Sequence, residues 1–137
     1  MSNVTTVQEL YAAFGRGDVP GILSRLADDV VWESEGPASD SLSGIRHGKA
    51  ETVGFFEAIG KDHGNPKLTI SEYIDAGDNV ITIGRYTATM NSTGRIFESP
   101  TCHVWKFRNG KVVKYIGFSN TAAGLEARQP LSTGAAG

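Results

Sequence analysis

Residues 95–119, RIFESPTCHVWKFRNGKVVKYIGFS, decide the fold. They read as two strands folded on Arg108-Asn109-Gly110-Lys111, where Asn-Gly supplies the positive-φ residues that a tight hairpin turn needs. Side chains alternate across a strand, which puts His103, Trp105 and Phe107 on one face. On the return strand Val113, Tyr115, Gly117 and Ser119 share one face, and Val112, Lys114, Ile116 and Phe118 the other. One ionisable ring beside two large aromatics is the lining expected of an apolar pocket.

Upstream of the hairpin the chain changes character from helical to extended. Val7, Leu10, Tyr11 and Phe14 recur at helical spacing over residues 3–15 and end at Gly15 and Gly17. That spacing marks core packing, and Tyr11 and Phe14 are also candidates to close a pocket. Asp18 reads as an N-cap for a second helix opened by Val19 and Pro20 and running to Leu26. Asp28 and Asp29 read as a solvated turn, since no His or second acid cluster completes a metal-ligand set beside them. A short strand, Val30 to Glu35, places Val30, Trp32 and Ser34 on one face. Gly36-Pro37 breaks it, and the stretch to Ser43 reads as a loop. A third helix covers Lys49 to Gly60. His47 and His63 flank it in polar, Gly-rich surroundings and are expected to be exposed.

From Pro66 the pattern turns to strands: Leu68 to Asp75, a turn at Ala76-Gly77-Asp78-Asn79, then Val80 to Met90. Three helices followed by four long strands argue for an α+β fold with helices against one face of an antiparallel sheet. One domain is expected over residues 1–128, with a short helix in TAAGLEARQ and a frayed tail over 129–137.

Composition narrows the partners. The 137 residues carry 39% apolar and 20% charged side chains, which suits a globular protein. Thirteen Lys and Arg against fifteen Asp and Glu leave a net charge of −2 and no basic block, so nucleic acid is a poor partner. No apolar run approaches the roughly 18 residues of a membrane span. The N-terminus lacks a basic region followed by an apolar stretch, and Cys102 is the single cysteine; a cytoplasmic protein is expected. No metal-ligand cluster and no phosphate-binding glycine motif implies a metal or cofactor.

Several local wordings now join the order of elements: Leu26-Ala27-Asp28-Asp29-Val30-Val31-Trp32-Glu33, Gly48-Lys49 before Phe55-Phe56, Thr93-Gly94-Arg95, and His103-Val104-Trp105-Lys106-Phe107 before Asn109-Gly110-Lys111. With them the chain resembles the SnoaL-like branch of the nuclear transport factor 2-like superfamily, over roughly residues 4 to 125. The resemblance implies a cone: a curved sheet wrapped around a pocket, closed by helices. It also implies a choice of chemistries, since ketosteroid isomerases, polyketide cyclases, epoxide hydrolases and non-catalytic proteins share this scaffold. In the isomerases an acid on the penultimate strand donates a hydrogen bond to the developing oxyanion, and His103 stands at that position. Their proton-abstracting Asp corresponds to Ser34, with Glu35 the neighbouring carboxylate. Their first-helix tyrosine maps close to Leu10, one residue from Tyr11. The last-strand Asp of the SnoaL-type cyclases corresponds to Gly117.

Three readings follow: two act through the pocket, and the third is an interaction module that dimerises through the outer face of the sheet. Of the pocket readings, one is a cofactor-independent proton-transfer enzyme for a hydrophobic cyclic or carbonyl compound. There His103 is a general acid or base, Ser34 and Tyr115 orient a polar group, and Trp32, Trp105 and Phe107 exclude water. The other is a non-catalytic carrier or receptor for an apolar ligand, which the missing acids favour. The resemblance further implies a homodimer through the convex face of the sheet, where Val112, Ile116 and Phe118 are expected to lie.

Overall fold

A computed structural model describes residues 2–130, so the tail expected at 129–137 lies outside the described residues from 131 on. Helix α1 (Asn3–Arg16) starts where the Ser2 side chain accepts from Thr5 N and stops where Gly17 takes a left-handed φ of 70°. Its inward face is Thr6, Val7, Leu10 and Ala13. Helix α2 (Val19–Leu23) is capped by the Asp18 carboxylate, which accepts from Gly21 N at 2.9 Å. It ends sooner than its apolar spacing predicts. Leu26, expected as its last apolar residue, instead opens strand β1 (Leu26–Ser34), and Asp28 and Asp29 are exposed strand residues rather than a turn.

Strand β2 (Gly44–His47) is a second departure. It lies just past the stretch read as a loop and pairs antiparallel with β1. Helix α3 (Gly48–Asp62) follows, its start held by the Glu51 carboxylate reaching back to His47 N at 2.8 Å. Strands β3 (His63–Ala76), β4 (Asn79–Met90), β5 (Ile96–Arg108) and β6 (Lys111–Ser119) complete the sheet. Helix α4 (Thr121–Arg128) closes the described chain, as the sequence leads one to expect. The β5–β6 turn has Asn109 at φ 53° and Gly110 at φ 77°, the left-handed pair that Asn-Gly signals.

The six strands form one curved sheet in the order β2-β1-β6-β5-β4-β3. The fold is α+β as expected. Four of its five seams are antiparallel, and the fifth, β1 on β6, is parallel, which amends the purely antiparallel sheet read from the sequence. Alternation within a strand cannot reveal that seam, because it links two segments eighty residues apart (roughly, by strand pairing).

Bulges bend the long strands, at Gly64/Lys67 and Ile70/Glu72 in β3 and at Lys106/Phe107 against β6. The last one resets the alternation of β6. Lys106 pairs with Lys114 and Phe107 with Val112, so Val113 is the extra residue. Val112 therefore turns inward and is wholly buried, not on the convex face where strict alternation puts it. Val7, Val30, Val80 and Val112, all inaccessible, anchor the core between α1 and the sheet, each worth about 1.5–3 kcal/mol of burial.

Candidate functional site

Two rows of residues crossing the sheet build the site. In the first, Ser34 on β1 pairs with Gly117 on β6, Gly117 with His103 on β5, and His103 with Thr82 on β4. In the second, Trp32 pairs with Tyr115, Tyr115 with Trp105, and Trp105 with Val80. A polar, small-residue row thus lies beside an aromatic one. Trp32 and Tyr115 stack at 3.9 Å with 19° between their planes, and Trp105 meets both edge-on or tilted.

Above these rows lies a cavity of about 140 Å³. His103, Trp32, Ser34, Trp105, Tyr115, Tyr11 and Phe14 all line it. Phe107 does not. It is buried in the packed core, one alternation step past Trp105 toward the β5–β6 turn, so its expected part in excluding water from the ligand is corrected to core packing. Glu35, the carboxylate next to Ser34, is also outside the cavity: it is exposed, and a hydrogen bond with Glu33 is the main cause that raises its pKa. Its carboxylate has no access to a ligand held over Ser34.

His103 is 8% exposed, and burial pushes its pKa down to about 4. Its Nδ1 lies 2.7 Å from the Tyr11 hydroxyl, which also lies 2.5 Å from Thr82 Oγ1 and accepts from Trp105 Nε1 at 3.0 Å. Counting protons assigns the directions. Indole N–H only donates, so one Tyr11 lone pair is taken. If Tyr11 donated to Thr82, the buried Thr82 hydroxyl hydrogen would be left without an acceptor. The arrangement that satisfies every group has Trp105 and Thr82 donating to Tyr11, and Tyr11 donating to His103 Nδ1. The imidazole proton then sits on Nε2, which has no protein partner among the described residues and is left for the cavity. Burial raises the Tyr11 pKa, so the phenol stays protonated in this role.

Other polar atoms at the site are unpaired. The Trp32 Nε1 and Thr101 Oγ1 atoms are buried without a hydrogen-bond partner. Asp40 supplies the only carboxylate among the described lining residues, held by its contacts to Leu42 N and Ser43 Oγ. At the rim, Arg128 of α4 bridges Asp62 at 3.1 Å and Ser41 at 3.0 Å, while Ser41 donates to Asp62 at 2.6 Å. That Ser41 bond is the main cause that lowers the Asp62 pKa. No group of three His, Cys, Asp or Glu that could hold a metal occurs among the described residues.

His63 overturns its expectation. It is 7% exposed rather than a surface residue, lines the cavity, and pairs through Nδ1 with the Tyr86 hydroxyl at 2.7 Å. The Gly64-Asn65-Pro66 wording masked the start of β3, whose Asn65 takes a left-handed φ of 49°. His47 is exposed, as expected. Thr82 and Tyr86 were also missed as site residues, although alternation from Val80 already puts both on the face that carries Met90.

A curved sheet closed by helices over an apolar pocket is the nuclear transport factor 2-like cone. Within it the chain belongs to the SnoaL-like domain family, whose model matches residues 7–115. An NTF2-like protein of unknown function from Burkholderia pseudomallei K96243 is 33% identical, with 94% of this chain and 99% of that chain covered and a TM-score of 0.87. An NTF2-like protein from Burkholderia thailandensis E264 is 30% identical, with 95% and 99% covered and a TM-score of 0.88. TerC, a structure co-crystallised with polyporic acid, is 28% identical, with 92% and 97% covered and a TM-score of 0.83. No curated protein matches the chain. No helix among the described residues is long and apolar enough to cross a membrane.

Proposed function

We propose that the protein binds a small apolar ring compound through a carbonyl oxygen and promotes proton transfer at the carbon beside it. The observation that carries this reading is the contact of His103 Nδ1 with the Tyr11 hydroxyl, itself joined to Thr82 and Trp105, which leaves Nε2 of the buried imidazole to face an apolar cavity as a donor. A preorganised donor in a water-poor site strengthens its hydrogen bond as charge develops on the oxygen, which acidifies the adjacent C–H. His103 then acts as the oxyanion donor, not as the titrating acid or base expected of an ordinary imidazole. The proton lost from one carbon is replaced from solvent at another carbon of the same enol system, so no cofactor enters the balance. The fold's relatives suit this reading, since TerC was crystallised with polyporic acid.

The test follows deuterium uptake from solvent at the α-carbon across cyclic ketones and enones. Wild type should accelerate exchange, and His103→Phe should lower the rate by about 10²- to 10³-fold. Exchange unchanged in His103→Phe would remove His103 from the chemistry.

A carrier is the second reading, and the polar row favours it. Ser34 and Gly117, the positions beside His103 where the resemblance places acids, leave the floor of the cavity without a carboxylate. Tight binding of ring ketones with no exchange in any of them would support the carrier over the enzyme.

The convex face supports a homodimer. There Ile83 pairs with Cys102 and Cys102 with Phe118, while Ile81 pairs with Val104 and Val104 with Ile116. These two apolar rows, with Ile83 and Phe118 exposed, make the surface a second copy would cover.

A further inference from the structure

We propose that His63 and Tyr86 form a second anchoring point in the cavity, so that the preferred ligand is a flat, elongated multi-ring compound with an oxygen at each end. The inference rests on the reading of His103 as the carbonyl anchor and adds what lies at the other pole.

The cavity runs along β5. Phe97, Ser99, Thr101, His103 and Trp105, five successive residues of one strand face, all line it. Tyr86 pairs with Ser99, and the His63 ring stands 5.0 Å from that of Phe97. Four residues separate Ser99 from His103, about 13 Å at roughly 3.3 Å per residue. A single ring with one oxygen reaches one pole only, whereas two or three rings in line reach both. The walls between are apolar, with Leu68, Met90 and Ile59 among them, and Thr101 places its unpartnered hydroxyl midway.

The two poles differ in what they accept. His103 can only donate, because its Nδ1 already receives the Tyr11 proton. The His63–Tyr86 pair can take either polarity. If Tyr86 donates to Nδ1, the imidazole offers Nε2–H; if Nδ1–H donates to Tyr86, the phenol hydrogen is free and Nε2 accepts. Burial is the main cause that lowers the His63 pKa, with Arg128 acting in the same direction and Asp62 and Asp40 against it, so the imidazole itself is neutral at neutral pH. Arg128, the one Lys or Arg among the described lining residues, is matched by Asp62. These partners suit a ligand with a carbonyl at the His103 end and a carbonyl or phenolic hydroxyl at the His63 end.

Flavone and 4′-hydroxyflavone isolate the second oxygen, since they share the carbonyl and differ by one distal hydroxyl. Binding is read by quenching of Trp32 and Trp105 fluorescence, with circular dichroism melts confirming that each variant folds. Wild type should prefer 4′-hydroxyflavone about tenfold, the worth of roughly one added hydrogen bond. His63→Phe should bring that ratio close to one, and Tyr86→Phe, which removes one oxygen, should reduce it several-fold. His103→Phe should weaken both compounds alike. A preference that persists in both His63→Phe and Tyr86→Phe would overturn the second anchor while the His103 reading stands. Undiminished binding of both compounds by His103→Phe would overturn the carbonyl anchor itself. Failure of wild type to bind either would overturn the multi-ring ligand class.

Discussion

The Tyr11 hydroxyl lies 2.7 Å from His103 Nδ1, joining a helix residue to a strand residue ninety-two positions away. Around it the core is apolar, so this contact and its links to Thr82 and Trp105 form a small polar island whose members satisfy one another. Its consequence is chemical as well as structural. It decides which nitrogen of His103 carries the proton, and hence what the cavity can bind.

Tyr11→Phe removes the centre of that island and leaves Nδ1, Thr82 Oγ1 and Trp105 Nε1 without their shared partner. Each buried group left unpaired costs about 1–3 kcal/mol, and part of this relaxes by rotation of Thr82. Urea denaturation at pH 7 should show a loss of about 2 kcal/mol or more. Nitrogen NMR of the imidazole should place the proton on Nε2 in the wild type and show mixed tautomers in the variant. A loss below about 0.5 kcal/mol would mean that the island is not formed in solution.

The pH dependence of stability follows from the same burial. Burial holds the His103 pKa at about 4 in the folded protein, against 6.5 for an imidazole in the unfolded chain. Between those values the unfolded state binds more protons, so stability falls as pH falls from 6.5 toward 4 and is fully present above 6.5. At about 1.4 kcal/mol per pH unit the window is worth on the order of 3 kcal/mol. His63, also lowered, adds a loss of the same sign. In His103→Gln the denaturation midpoint should fall less steeply over this range, leaving the His63 share. Binding of a neutral ketone should be flat between pH 6 and 8, and an inflection near 6.5 would show that His103 titrates like an exposed imidazole.

Much of this site was legible in strand alternation. His103 and Trp105 share a face because they are two residues apart, and Tyr115 joins them across a hairpin whose turn Asn109-Gly110 announces. What alternation cannot supply is phase beyond a bulge or pairing between distant segments. The bulge at Lys106/Phe107 moved Val112 from the convex face to the core, and the parallel seam brought Ser34 against Gly117. His63 escaped for a different reason. Its neighbours Gly64, Asn65 and Pro66 carry turn propensity, and tertiary pairing with Met90 overrides it.

Gly117 is needed for close approach rather than for backbone freedom. A Cβ there would sit 2.5 Å from the Tyr115 hydroxyl oxygen and 3.0 Å from its ring carbon Cζ. Tyr115 would have to swing aside, yet it is held by its stack on Trp32 at 3.9 Å and its contact with Trp105. Gly117→Ala should therefore destabilise by about 1–3 kcal/mol, as overpacking does, and change the near-UV circular dichroism of the aromatic row. Gly117→Asp should cost more, because it adds a charge to the same crowded place. An unchanged near-UV spectrum in Gly117→Ala would show that Tyr115 has room the geometry does not allow.

The convex face carries the last prediction. Cross-strand pairing sets Ile83, Cys102 and Phe118 in one row, with Ile83 39% and Phe118 44% exposed, more apolar surface than isolated outward residues would leave. The adjacent row of Ile81, Val104 and Ile116 extends it, and Ile74 pairs with Ile81 at its margin. A two-fold axis through this face would bury both rows against themselves, which is the self-complementary contact a dimer requires. Light scattering at micromolar concentration should give twice the chain mass. Ile83→Glu and Phe118→Glu each place a charge in the buried contact and should shift the protein to monomer, and Ile83→Glu, which lies away from the cavity, should leave flavone binding intact. A wild-type monomer under these conditions, or a dimer that survives both charges, would move the interface elsewhere.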